Sequence, residues 1–112
     1  MGISTHILDT ALGKPAANVP VSLSYWQDDA WALLNSAKTD ADGRVKHLLP
    51  VEPSLATGRY RARFDTGAYY ESQGLKGLYP YVEIVFEVTN TDQHYHVPLL
   101  LTANGYTTYR GS

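Results

Sequence analysis

A chain of 112 residues has room for one hydrophobic core, because two would each be too small to offset the entropy of ordering the chain. Its 44% hydrophobic and 18% charged content excludes wholesale disorder. A formal charge of -2, with only 9 scattered Lys and Arg, excludes general binding to a phosphate backbone.

No apolar run approaches the roughly 18 residues that span a bilayer. The opening Met1-Gly2-Ile3-Ser4-Thr5-His6 lacks the basic-then-apolar pattern of an export signal. With no cysteine there is neither disulfide nor thiol chemistry, and a cytoplasmic location is the expectation.

In chain order, alternation of apolar and polar residues predicts about eight strands. They lie near Ser4–Asp9, Val19–Trp26, Ala32–Lys38, Arg44–Leu49, Gly58–Phe64, Tyr81–Val88, Gln93–Leu101 and Gly105–Arg110. Val21, Leu23 and Tyr25 define one apolar face, and Tyr60, Ala62 and Phe64 another, the latter opposite three arginines. Val82, Ile84, Phe86 and Val88 form a third. Turn signals separate these runs: Leu12-Gly13-Lys14-Pro15, Asp40-Ala41-Asp42-Gly43, Asn90-Thr91-Asp92 and Asn104-Gly105. Asp65-Thr66 is expected to cap a short helix through Tyr69, Tyr70 and Glu71, with Gly74 as its stop. The pattern predicts an all-β sandwich of two sheets with one short helix, in a single domain over residues 1–112.

The run His94-Tyr95-His96-Val97-Pro98-Leu99-Leu100-Leu101 is apolar on both faces. Tyr95, Val97, Leu99 and Leu101 suit the core, leaving Pro98 and Leu100 beside His94 and His96 on the other side. The first strand is doubled in the same way, with His6 and Leu8 opposite Thr5 and Ile7. An apolar patch rimmed by polar groups marks a ligand cavity or subunit contact, most simply with another copy of the chain. Pro98 supplies no ladder donor, so an edge or a bulge is expected there.

Four features carry chemistry. The pair His94 and His96 projects from one strand face and has three readings: a polar rim, half of a metal site with His6 as third ligand, or an acid–base element working near neutral pH. His6 alone reads more readily as a packed or interfacial side chain than as a catalyst. Arg44, after the Asp-Gly turn, is either a solvated strand-start residue or a fixed cation for an anionic ring or oxyanion. His47 points away from Arg44 and reads as structural. The tail, Tyr106 to Ser112, folds back beside the His94–Leu101 strand after the Asn104-Gly105 turn, bringing Tyr109 towards the His96 face.

Five segments in order resemble the 5-hydroxyisourate hydrolases, enzymatic relatives of the hormone carrier transthyretin. They are Thr5-His6-Ile7-Leu8-Asp9, Gly13-Lys14-Pro15-Ala16, Asp42-Gly43-Arg44, His94 to Leu101, and Tyr109-Arg110-Gly111-Ser112. The resemblance covers the whole chain, and the C-terminal tetrapeptide is the most discriminating segment because the carriers lack it. It implies a transthyretin-like (prealbumin-like) sandwich and a homotetramer with active sites in a channel between subunit pairs. The implied reaction is hydrolysis of 5-hydroxyisourate to 2-oxo-4-hydroxy-4-carboxy-5-ureidoimidazoline in urate degradation, with no metal or cofactor.

Carried over by position, the implied catalytic residues are His6, Arg44 and His96. The substrate-binding set is His6, Arg44, His94, Tyr109, Arg110, Gly111 and Ser112. Thr102-Ala103 stands where the family usually carries Ser-Pro, so that turn is expected to bend differently. Two other readings of the chain are a carrier that holds an aromatic ligand without reaction, and a sandwich serving adhesion or carbohydrate binding.

Overall fold

Two sheets form where the period-two pattern is strongest, and their apolar faces meet. The computed structural model describes residues 2–51 and 54–112. The first sheet holds β1 (Ile3–Asp9), β2 (Lys14–Pro15), β5 (Arg44–Val45), β8 (Tyr95–Thr102) and β9 (Gly105–Thr108), ordered β2-β1-β8-β9 with β5 also on β1. The second runs β4-β3-β6-β7, from β3 (Pro20–Gln27), β4 (Ala30–Lys38), β6 (Gly58–Phe64) and β7 (Val82–Val88). The core between them includes Ile3, Ile7, Leu23, Tyr60, Phe64, Val82 and Leu99, the inward sets expected from the alternation. Tyr60 stacks on Phe86 at a centroid distance of 5.8 Å and tilts against Tyr25 at 4.9 Å.

The α-helix α1 (Thr66–Ser72) begins where Asp65 accepts a hydrogen bond from the Ala68 amide (3.1 Å), and Gly74 follows its end at φ 72°. The β3–β4 hairpin turns on Asp28 and Asp29, both in the left-handed region, as its two-residue loop requires.

Four expectations change in detail. The strand foreseen over Arg44–Leu49 pairs only at Arg44 and Val45, because Leu48 and Leu49 are both buried and a strand sends neighbours to opposite faces. A further short strand, β2, is too brief to leave a periodic signature. The β8–β9 turn falls on Ala103 and Asn104, with Gly105 already paired to Thr102. Pro98 occupies neither an edge nor a bulge: β8 is central, and its ladder to β9 stops at Leu99↔Thr108 and returns only as a bridge between His96 and Gly111. The gap is where the missing proline N–H would have donated, and Thr108 Oγ1 donates instead to the Pro98 carbonyl at 2.7 Å.

Asp9 ties the end of β1 to the helix. It is buried; Oδ1 accepts from the amides of Ala11 and Leu12, and Oδ2 from the Tyr69 hydroxyl at 2.8 Å. Burial, and then the Asp9 carboxylate, push the Tyr69 hydroxyl well above the usual phenol range, so it remains a donor. In Asp9→Ala the two amides can turn to water but the Tyr69 hydroxyl cannot. An unpaired buried group of this kind costs about 1–3 kcal/mol. Urea unfolding should show a lowered midpoint, and an unchanged midpoint would contradict this role.

Candidate active site

On the outer face of the first sheet, side chains from three segments come together because β1 pairs with both of its neighbours. His6 lies opposite Arg44 of β5 on one side and Pro98 of β8 on the other. One row away, Ser4 lies opposite His96, which in turn bridges Gly111 of the tail. Paired residues share a face, so Arg44, His6, Ser4 and His96 all belong to the side turned away from the core.

This face holds an open cleft of about 350 Å³ lined by Ser4, Thr5, Arg44, Lys46, His94, His96 and Ser112. Arg44 is placed there by the Asp40–Gly43 turn. The Asp40 carboxylate accepts from the amides of Asp42 and Arg44, each at 2.9 Å. The Arg44 amide above all holds that carboxyl below its ordinary pKa. Gly43, at φ 75°, accepts a hydrogen bond at its carbonyl from the Ile7 amide (2.7 Å), and a side chain there would collide with the Ile7 carbonyl. The close approach of the Asp-Gly turn to β1 therefore requires glycine.

His96 is half-buried and held on two sides. Ser4 Oγ lies 2.7 Å from His96 Nδ1 and 2.8 Å from His94 Nε2, joining both imidazoles through one hydroxyl. Gly111 packs on the opposite edge of the ring, where a Cβ would strike His96 Cδ2 and come within 3.1 Å of Pro98 Cγ. Burial first, then the charges of His6, Arg44 and His94, hold His96 below the ordinary imidazole pKa. It is therefore neutral at pH 7 and able to accept a proton.

The cleft is cationic. Among the described residues neither Arg44 nor Lys46 has a carboxylate within ion-pair distance, whereas Arg59, Arg61 and Arg63 on the other sheet are paired with Glu83 or Glu87. Unpaired cations beside a neutral imidazole can hold an anion and stabilise charge that develops on oxygen.

The expected residues divide into two groups. Arg44, His94, His96 and Ser112 line the cleft; His6 and Gly111 do not, His6 lying opposite Arg44 on β1 and Gly111 packing against the His96 ring. Tyr109 and Arg110 do not line it. Tyr109 is exposed over a neighbouring groove with Ile84, Val85 and Phe86, which Arg110 and His96 also line. Arg110 stacks on Tyr95, 4.5 Å from the ring centroid, and donates to Gln93 Oε1 at 2.9 Å. His47 is exposed in the turn after β5 and lines a separate cavity with Gly2 and His94. The sequence reading missed Ser4 and Lys46, and alternation could have found both. Ser4 shares a parity with His6, and Lys46 with Arg44.

The chain matches the model of the HIUase/Transthyretin family over residues 3–111. It is 49% identical to a 5-hydroxyisourate hydrolase of Salmonella typhimurium, over 98% of this chain and 80% of that protein. Among solved structures, it resembles Klebsiella pneumoniae 5-hydroxyisourate hydrolase with a TM-score of 0.88 at 36% identity, covering 100% of both chains. Sea bream transthyretin, solved in complex with thyroxine, gives a TM-score of 0.91 at 34% identity, covering 99% of this chain and 95% of that one.

The two glycines that touch the histidines should respond differently to substitution. In Gly111→Ala the added methyl must displace the His96 ring, moving its NMR resonances without melting the fold. Gly2→Ala, where a Cβ meets His94 only at an ordinary 3.7 Å, should leave the spectrum in place. Unmoved His96 signals in Gly111→Ala would contradict the tight seat described.

Proposed function

The chain belongs to the HIUase/transthyretin family, and we propose that it works as the family's enzymes do, opening 5-hydroxyisourate to 2-oxo-4-hydroxy-4-carboxy-5-ureidoimidazoline in urate degradation. The observation that carries this reading is the juxtaposition of a neutral imidazole with two unpaired cations in one cleft. Such a cleft suits a small, planar, anion-forming ring that is to be attacked by water. A carrier for an aromatic ligand would have no use for a proton acceptor beside free cations. Polar, charged lining of this kind therefore favours hydrolysis over carriage.

In the proposed mechanism, Arg44 grips the substrate through forked hydrogen bonds, with Lys46 adding a second positive charge. His96 takes a proton from water, and the resulting hydroxide adds to a ring carbonyl. Arg44 stabilises the oxyanion that forms. As the tetrahedral centre collapses, the ring C–N bond breaks and an imidazolium returns the proton to the departing nitrogen. Acid–base help of this kind contributes about 10²–10⁴-fold. His6, paired with Arg44, keeps a second imidazole beside the reacting groups and completes the catalytic set. His94, Gly111 and Ser112 form the rest of the substrate-binding wall. Tyr109 and Arg110 would join it only if another copy brought them over a cleft.

Residues 1–112 are read as one catalytic domain, in a homotetramer whose subunits close over each other's clefts. Support comes from the outer face of the first sheet, where half-buried Leu8 and Leu100 lie beside the cleft and call for a cover. A cytoplasmic setting accords with a pathway of small-molecule catabolism; among the described residues no helix is long and apolar enough to cross a membrane.

The test is to generate 5-hydroxyisourate from urate and urate oxidase and follow its ultraviolet decay with and without the protein. Acceleration over buffer is expected, and its absence would remove the enzymatic reading. Arg44→Ala should lower turnover by about 10²–10³-fold, the usual loss for an oxyanion donor. Because His96 is held below the ordinary imidazole value of about 6.5, the acid limb of kcat/KM should fall at lower pH than that. An acid limb above that value would contradict the assignment of His96 as the base.

A further inference from the structure

A single hydroxyl between two imidazoles has only one proton to give. Ser4 Oγ sits within hydrogen-bond distance of both His94 Nε2 (2.8 Å) and His96 Nδ1 (2.7 Å). One imidazole must therefore accept from Ser4 while the other donates to it. In the first arrangement Ser4 donates to His96, which leaves a hydrogen on His96 Nε2. In the second Ser4 donates to His94 and accepts the Nδ1–H of His96, which leaves Nε2 bare.

The charge around the free edge of the ring favours the second arrangement. Ser4 holds Nδ1 of the His96 ring and Gly111 packs on Cδ2, so Nε2 lies on the remaining edge of a ring that lines the cleft. The ionisable side chains around that ring are Arg44, Lys46, His6 and His94, with Ser112 also lining the cleft, and the first two bring positive charge to it. In a cleft with that charge a lone pair on Nε2 is favoured over an N–H.

We propose that Ser4 is a positioning residue for the hydrolysis, holding His96 in the tautomer with Nε2 free and relaying the proton onward to His94. The inference rests on the reading of His96 as the base. As His96 Nε2 takes a proton from water, its Nδ1–H passes to Ser4 Oγ, and the Ser4 proton passes to His94 Nε2. Hydroxide is left for the ring carbonyl, and the positive charge comes to rest on His94. The reverse sequence returns a proton through Nε2 to the departing nitrogen. The relay puts the charge where water can solvate it. His94 is exposed, and it also lines a second cavity with Gly2, His47 and Thr91, whereas His96 is half-buried beside Arg44.

The test combines rates with a direct reading of the tautomer. Ser4→Ala should lower kcat by about 10- to 100-fold, a part of the usual acid–base contribution, with KM little changed. Ser4→Thr keeps a hydroxyl and should restore most of the rate. His94→Asn should resemble Ser4→Ala, and the double variant should be no slower than either single one, because both cut the same chain. Nitrogen-15 spectra of the wild-type imidazoles should show His96 protonated at Nδ1.

A wild-type kcat in Ser4→Ala, no rescue by threonine, multiplicative losses in the double variant, or a His96 proton on Nε2 would each overturn the relay. His96→Asn separates the two levels. If it turns over normally, the base assignment fails together with the relay. If it is inactive while Ser4→Ala is unimpaired, only the relay fails.

Discussion

Every feature of the cleft depends on one constraint, the pairing of β1 with two partners of opposite direction. Its parallel register with β8 aligns Ser4 with His96 and His6 with Pro98, while its antiparallel register with β5 aligns His6 with Arg44. Slipping either register by one residue would send the imidazoles into the core and bring Ile7 or Thr5 to the surface. That slip is resisted by the inward set Ile3, Thr5 and Ile7, all buried, with Thr5 donating to the Val97 carbonyl at 2.6 Å. The packing that stabilises the sandwich thus also positions the chemistry.

The cleft works against ordinary surface electrostatics. The arginines of the second sheet are neutralised: Arg59, Arg61 and Arg63 lie by Glu83 or Glu87, and Arg61 and Arg63 also cover Trp31 and Tyr81. Arg44 and Lys46 have no such partners among the described residues. Leaving them unpaired beside a partly desolvated histidine destabilises the charged imidazole, and the same field attracts an anion and steadies an oxyanion. A transthyretin-like sandwich is compatible with carriage as well as hydrolysis, so function lies in these side chains and not in the architecture.

Most of the sandwich was legible because its strands are half-buried and alternate. Gly58–Phe64 and Val82–Val88 pair residue for residue, within one residue of the ranges that the period predicts. Legibility failed where the cause was tertiary. Leu48 and Leu49 look like a strand continuing from Arg44, but both are buried and only a single bond, from the Leu48 amide to the Ile3 carbonyl, returns to β1. Pro98 looks like an edge residue, yet it is tolerated in a central strand because β9 gives up its ladder there. Alternation puts Ser4 on the face of His6, but nothing local marks that it matters, because the two imidazoles that reach it lie some ninety residues later. The departure from the family at Thr102-Ala103 leaves the β8–β9 hairpin intact. Tyr109 and Arg110 nevertheless lie off the cleft of a single chain.

The most direct test of the central claim is a crystal structure with a non-hydrolysable urate analogue bound. The account predicts the ring gripped by Arg44, one ring carbonyl facing His96 Nε2 across the space for a water, and a second copy of the chain closing over it. An analogue bound elsewhere at saturation, or one held in the cleft out of reach of both Arg44 and His96, would contradict it.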